Sequence, residues 1–186
     1  PGGDPGPELA VSSNGYLTIL DADGSVVWST ALDPGNPGGV SAADVDGDGE
    51  VELVTGMRYD DGIGIGRLYA LNADGSLLWS TPAYDSSSAN VASVLDLDGD
   101  GIYEVAWNGR EDGFTIFNGA DGSVIYNEPL AYSVTGTDYP AFVDVDNDGY
   151  AEVVAPALRG IRVFGWDGVW GPSRPIWNQQ TYHITN

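Results

Sequence analysis

The 186-residue chain carries 28 acidic side chains against 6 basic ones, a formal net charge of −22 at pH 7. That balance excludes nucleic acid and anionic membrane surfaces as partners, because both would be repelled and no basic stripe exists to meet phosphates. Disorder is excluded as well: 42% of the residues are hydrophobic, and 6 Trp, 10 Tyr and 4 Phe supply far more aromatic surface than a coreless chain carries.

All six basic residues are arginines (Arg58, Arg67, Arg110, Arg159, Arg162 and Arg174), and 27 Gly and 11 Pro point to a turn-rich β chain rather than to helices. Cysteine is absent, which removes disulfides, thiolate zinc sites and cysteine nucleophiles together and leaves metal ions as the available staple. No run of 18 apolar residues reads as a membrane span, so membrane insertion is not expected. No basic-then-apolar leader opens the chain, and Pro1 reads as a mature or excised start.

In chain order, residues 17–30 place two alternating apolar runs around Asp23-Gly24, and residues 68–81 repeat them around Asp74-Gly75 at an offset of 51. Weaker copies surround Asp121-Gly122 and Asp167-Gly168. Asp-Gly between alternating apolar runs predicts a hairpin, since the turn needs a positive φ that both residues accept cheaply. Asp21, Asp23, Asp74, Asp121 and Asp167 are therefore read as turn residues, and Trp28 and Trp79, at matching positions, as packing between units.

Interleaved with the hairpins are three acidic segments, at 44–52, 96–104 and 144–152, starting at intervals of 52 and 48. Each stands between two strand-like runs: 39–43 and 51–55, 90–95 and 105–107, 140–143 and 153–155. One unit is strand, acidic loop, strand, linker, strand, Asp-Gly turn, strand, which is the content of one β-propeller blade. The predicted fold is all-β: a single β-propeller domain of four-stranded antiparallel blades, about four in this chain, with repeats over 1–37, 38–88, 89–136 and 137–186. Glu8 and the apolar residues after it match the end of an acidic loop and its following strand, and a further loop projects to about residue 192. Residues 181–186 are then placed to pair with the start of the chain and close the ring. A piece of a longer propeller is the competing expectation.

Within each acidic segment the first, third and fifth residues are Asp and the ninth is Glu: Asp44, Asp46, Asp48 and Glu52; Asp96, Asp98, Asp100 and Glu104; Asp144, Asp146, Asp148 and Glu152. Four carboxylates and the carbonyl of the seventh residue (Glu50, Ile102, Tyr150) make a hard, all-oxygen shell. Such a shell suits calcium better than magnesium, with its tight octahedron, or zinc, with its nitrogen and sulfur ligands. One calcium ion is expected in each of the three segments. Gly49, Gly101 and Gly149, at the sixth position, permit the reversal that a ring of ligands from one short segment requires. The segment is not an EF-hand, whose bidentate acid stands at position twelve; here that position holds Thr55, Trp107 and Ala155.

The Asp-x-Asp-x-Asp-Gly-x-x-Glu segment feeding a strand resembles the calcium-binding FG-GAP or VCBS type of propeller repeat, found in integrin α-chain propellers and in secreted bacterial proteins. The resemblance covers essentially the whole chain and implies the same ligand sets, with the first, third, fifth and ninth side chains and the seventh carbonyl on the ion. The Phe-Gly and Gly-Ala-Pro signatures of that family are poorly kept. Residues 70–79 also resemble the outer hairpin of quinoprotein (PQQ) propellers, a likeness confined to that hairpin.

No catalytic constellation accompanies these elements. His183 is the only histidine, no Gly-x-Ser-x-Gly elbow occurs, and the glycine run at 62–66 has neither a following helix nor any lysine to meet a phosphate. The expected function is a non-catalytic, calcium-stabilised propeller, secreted or displayed at a bacterial or archaeal cell surface, acting as an adhesion, ligand-binding or assembly module. Its expected partners are an extracellular protein or carbohydrate, met by exposed loop residues such as Arg58, Tyr59, Arg110, Tyr132 and Tyr139, or copies of itself. Two rival readings are a structural subunit of an extracellular filament or surface layer, and a fragment of a propeller polysaccharide lyase or quinoprotein.

Overall fold

The computed structural model describes residues 7–59, 66–85, 90–110, 112–132, 138–165 and 170–171. Among them are fourteen strands and no helix: β1 (Leu9–Ser13), β2 (Tyr16–Leu20), β3 (Val26–Ala31), β4 (Gly35–Ala43), β5 (Glu52–Tyr59), β6 (Arg67–Leu71), β7 (Leu77–Pro82), β8 (Ser93–Leu95), β9 (Glu104–Gly109), β10 (Gly113–Asn118), β11 (Val124–Glu128), β12 (Ala141–Val143), β13 (Glu152–Ala157) and β14 (Gly160–Phe164). They form four antiparallel sheets in sequence order: β1-β2-β3, β4 to β7, β8 to β11, and β12-β13-β14. The fourth predicted hairpin, at Asp167-Gly168, the expected closing strand at 181–186 and His183 lie outside the described residues.

Three hairpins appear where the Asp-Gly pairs predict them, with a difference in the turn. Only the glycines, Gly24, Gly75 and Gly122, take positive φ. Each aspartate instead accepts the amide of the serine two residues on: Ser25 N to Asp23 Oδ1 at 2.8 Å, Ser76 N to Asp74 Oδ1 at 2.9 Å and Ser123 N to Asp121 Oδ1 at 2.8 Å. A register shift sits beside each turn, at Ile19/Leu20, Ala70/Leu71 and Ile116/Phe117. This is a longer turn that ends in a left-handed glycine and a bulge, not the two-residue turn that puts both residues at positive φ.

Alternation along the strands fills three cores, one between each pair of successive sheets. Leu53, Tyr69 and Leu71 of the second sheet pack with Leu17 and Ile19 of the first, while Val54, Leu68 and Ala70, one residue out of step, face the third sheet with Trp107 and Phe117. Phe114 and Ile116 turn the other way, toward Phe142 and Val153 of the fourth sheet. Period-two alternation with both faces apolar is what a sheet sandwiched on both sides requires. At about 1.5–3 kcal/mol for each fully buried large side chain, these interfaces are the main source of stability.

Tryptophans lock the outer edge of two interfaces. The Trp28 indole of β3 donates to Ala73 O at 2.9 Å and lies over Gly75, where an added Cβ would come within 2.8 Å of the ring. Trp79 of β7 does the same one sheet later, donating to Gly119 O and covering Gly122. Packing between units is therefore the role of both residues. At the inner edge, β4 lies beside β8 and β8 beside β12. Ser41 Oγ donates to Ala92 O and Ser93 Oγ to Pro140 O across those seams.

Candidate metal centre

The acidic segments form the connections β4–β5, β8–β9 and β12–β13, and each is folded by its own carboxylates. The first-position Asp closes the loop on itself: Asp44 Oδ1 accepts from Gly47 N (2.8 Å) and Asp48 N (3.0 Å), and Oδ2 from Gly49 N (2.9 Å). Asp96 accepts from Gly99 N and Gly101 N, and Asp144 Oδ2 from Gly149 N. The third-position Asp46, Asp98 and Asp146 each accept the amide two residues on. So do the fifth-position Asp48, Asp100 and Asp148, which thereby hold the amides of Glu50, Ile102 and Tyr150. Two left-handed residues make the reversal: the sixth-position glycines, and the fourth position, Gly47, Gly99 and Asn147, with Asn147 at φ +66°. The fourth-position requirement is legible in the sequence as Gly, Gly, Asn, the residues that tolerate this conformation.

The ninth-position glutamates have a second task that ligand spacing does not reveal. Glu52, Glu104 and Glu152 are buried, and each Oε2 reaches back to the amide of the second loop residue: Val45 N at 2.9 Å, Leu97 N at 2.7 Å and Val145 N at 2.7 Å. Burial pushes the carboxyls of Glu52 and Glu104 up to about 7; the backbone hydrogen bond opposes this, and repulsion from the neighbouring aspartates adds to it. Glu152 is raised by the same causes in the same order.

Carboxylate oxygens converge in all three loops. Asp44, Asp46 and Asp48 bring one oxygen each to within 4.8 Å of one another, as do Asp96, Asp98 and Glu104, and Asp144, Asp146 and Glu152. Glu52, Asp100 and Asp148 stand outside these trios. The all-oxygen donor sets could hold a hard metal ion. Asp144 Oδ1 adds a specific sign of fit, being buried with no hydrogen-bond partner in a loop where one oxygen of each carboxylate holds an amide. Without a cation, each pair of carboxylates at about 4 Å would repel by about 1 kcal/mol in water and about 4 kcal/mol near a protein surface.

The loop residues expected to meet a ligand differ in exposure. Arg58, at the end of β5, Tyr132 and Tyr139 are half-buried and Arg110 is exposed, while the side chain of Tyr59 lies outside the described ones. Beside the second acidic loop, a cavity of about 610 Å³ is lined by Leu97, Asp98, Glu104, Tyr126, Phe164 and Trp170 among others. Tyr126 stands where Trp28 and Trp79 stand in the preceding hairpins.

The chain matches no protein-family model and no curated protein. Among solved structures it is similar to BamB from Moraxella catarrhalis, a β-propeller, with a TM-score of 0.59 and 21% identity over 91% of this chain and 45% of BamB. It is also similar to the V. cholerae biofilm matrix protein Bap1, with a TM-score of 0.50 and 15% identity over 88% of this chain and 34% of Bap1. The chain thus spans less than half the length of each of these structures. Four antiparallel sheets packed in series, with this likeness, make it an all-β protein of propeller type.

Proposed function

We propose that the chain is a non-catalytic, calcium-stabilised propeller module, secreted or held at a cell surface, that serves adhesion, ligand binding or assembly. One observation carries the reading: the same nine-residue scaffold occurs three times in register with the sheets, each time bringing three carboxylate oxygens together. Extracellular calcium is abundant enough to keep weak sites filled, which fits structural ions rather than a signalling switch. Surface location is supported by Bap1, a biofilm matrix protein among the structural neighbours, and no helix among the described residues is long and apolar enough to cross a membrane. A cavity of about 610 Å³ falls within the usual size of small-ligand sites and supports the ligand-binding role.

The test is a thermal melt in excess calcium and in excess chelator, with bound-metal analysis. At a hundredfold excess over Kd each site stabilises by about 2.7 kcal/mol. At about 2–4 °C per kcal/mol for a chain of this size, three filled sites raise the midpoint by on the order of 20 °C. An unchanged midpoint and no bound calcium would refute the reading.

Assembly has its own support in β1, which has no hydrogen-bonded strand on the side away from β2 among the described residues. A free strand edge invites pairing, with a strand of the same chain that closes a ring of four blades or with a neighbouring molecule. Concentration-dependent growth in size-exclusion chromatography marks the second case.

A further inference from the structure

The three acidic loops are joined by the backbone. Each ninth-position Glu accepts the amide of its loop's second residue. Between the second and third loops the link is hydrogen-bonded throughout. Gly171 N donates to Leu97 O of the second loop, and Gly171 O accepts from Ala151 N of the third loop at 3.0 Å. Ala151 directly precedes Glu152, whose carboxylate holds Val145 N, while the amide of Leu97 is held by Glu104. An unbroken run therefore connects Glu104, Leu97, Gly171, Ala151 and Glu152. The preceding joint uses the same two loop positions: Gly119 lies against Val45 O and Tyr103 O, so closely that a Cβ there would collide with both carbonyls.

We propose that the second and third loops bind their cations with positive cooperativity, and that Gly171 is the coupling residue. This rests on the calcium reading above and goes beyond it. An ion in the second loop fixes Asp96, Asp98 and Glu104, and with them the Leu97 peptide. Leu97 O then holds Gly171, which fixes Ala151 N and the backbone that carries Glu152. Part of the ordering cost of the third loop is met before its own ion arrives, so that ion binds more tightly. Direct electrostatics gives the opposite sign, because a first dication lowers the negative potential that attracts a second. Positive coupling is thus diagnostic of the structural link.

The test uses the full 186-residue chain, with calcium binding followed by isothermal titration calorimetry. Asp46→Asn silences the first loop and leaves the coupled pair; Asp46→Asn with Asp98→Asn leaves the third loop alone. The third loop is expected to bind calcium about tenfold more weakly when the second is silenced, within the 5–150-fold range typical of coupled sites. Gly171→Pro, which removes the donor to Leu97 O, should abolish that difference while both loops still bind. Should circular dichroism show that this variant is unfolded, Gly171→Ala serves instead: it keeps the amide but sets a Cβ 3.3 Å from Leu97 O, so that the two must move apart. Equal affinity of the third loop with and without the second, or weaker affinity when both are present, overturns the proposal and leaves the calcium reading intact, as does a tenfold coupling that survives both Gly171 variants. No binding heat from the unaltered chain overturns both.

Discussion

At the hairpin turns each aspartate has one task. Asp23, Asp74 and Asp121 each accept the hydroxyl and amide of the serine two residues on, and this holds their carboxyls below the usual range. In the acidic loops three or four carboxylates share one small volume, buried glutamates are pushed toward the protonated form, and Asp144 Oδ1 faces no donor. The rim is electrostatically complete with protein groups alone and is locked by indole packing. Folding of the loops leaves charge to be neutralised. Aspartate and glycine build both regions, and the number of acids per turn distinguishes a structural stop from a cluster that could hold a cation.

If the two regions are separable, damage to the rim lowers stability by the same amount with or without calcium, and damage to a loop only with it. The largest effect is expected from Trp79→Ala. Trp79 is buried and covers Gly122, and truncation of a buried tryptophan costs about 3–5 kcal/mol. Chemical denaturation should show that loss in calcium and in chelator alike; a loss confined to calcium would mean that rim and loops form one cooperative unit. Next is Asp46→Asn, which removes one charge from the Asp44, Asp46 and Asp48 trio. It should erase one site's share of the calcium-linked gain, about 2.7 kcal/mol at a hundredfold excess over Kd, and change little in chelator.

A pH titration divides the same two regions. In the calcium-free protein Glu52 and Glu104 have carboxyls raised to about 7, above their ordinary value of 4.5. Between those values the folded state binds more protons than the unfolded one. The stabilising contribution is therefore complete below about pH 4.5 and lost as pH rises through about 7. Allowing for solvent screening, the loss is roughly 1 kcal/mol for each group. Saturating calcium should reverse the slope, because the ion binds the carboxylate form and proton release accompanies binding. Parallel pH–stability curves with and without calcium would show that the raised carboxyls do not belong to the cation sites.

Hairpins and loops were legible in the sequence because their determinants are local: an Asp-Gly pair between alternating runs, and four acids within nine residues. Strand limits were less so. Pro37 and two following glycines argue against a strand, yet β4 begins at Gly35, because a register shift between Pro37 and Val40 takes up the interruption. β8 and β12 are only three residues long, shorter than the apolar runs suggest, since the chain before each serves as linker. Glu52, Glu104 and Glu152 were legible as ligand candidates but not as clamps, although the seven-residue offset to Val45, Leu97 and Val145 is constant. Gly119 and Gly171 carry no local signal at all. Their importance comes from carbonyls of a neighbouring sheet, and one sequence does not display that proximity.

The smallest effect is expected from Trp28→Phe, and it tests what holds the rim. A phenyl ring keeps an aromatic face over Gly75 but cannot donate to Ala73 O, so the change isolates the indole hydrogen bond. A neutral hydrogen bond at a half-buried site is worth about 1 kcal/mol. For a chain of this size that is a fall in midpoint of about 2–4 °C, the same in calcium and in chelator. Thr30 Oγ1, which donates to Gly75 O at 2.6 Å, holds the same turn in place and limits the damage. A fall several times larger would mean that the indole N–H sets the alignment of the first and second sheets. No fall at all would assign the lock to ring packing and to Thr30.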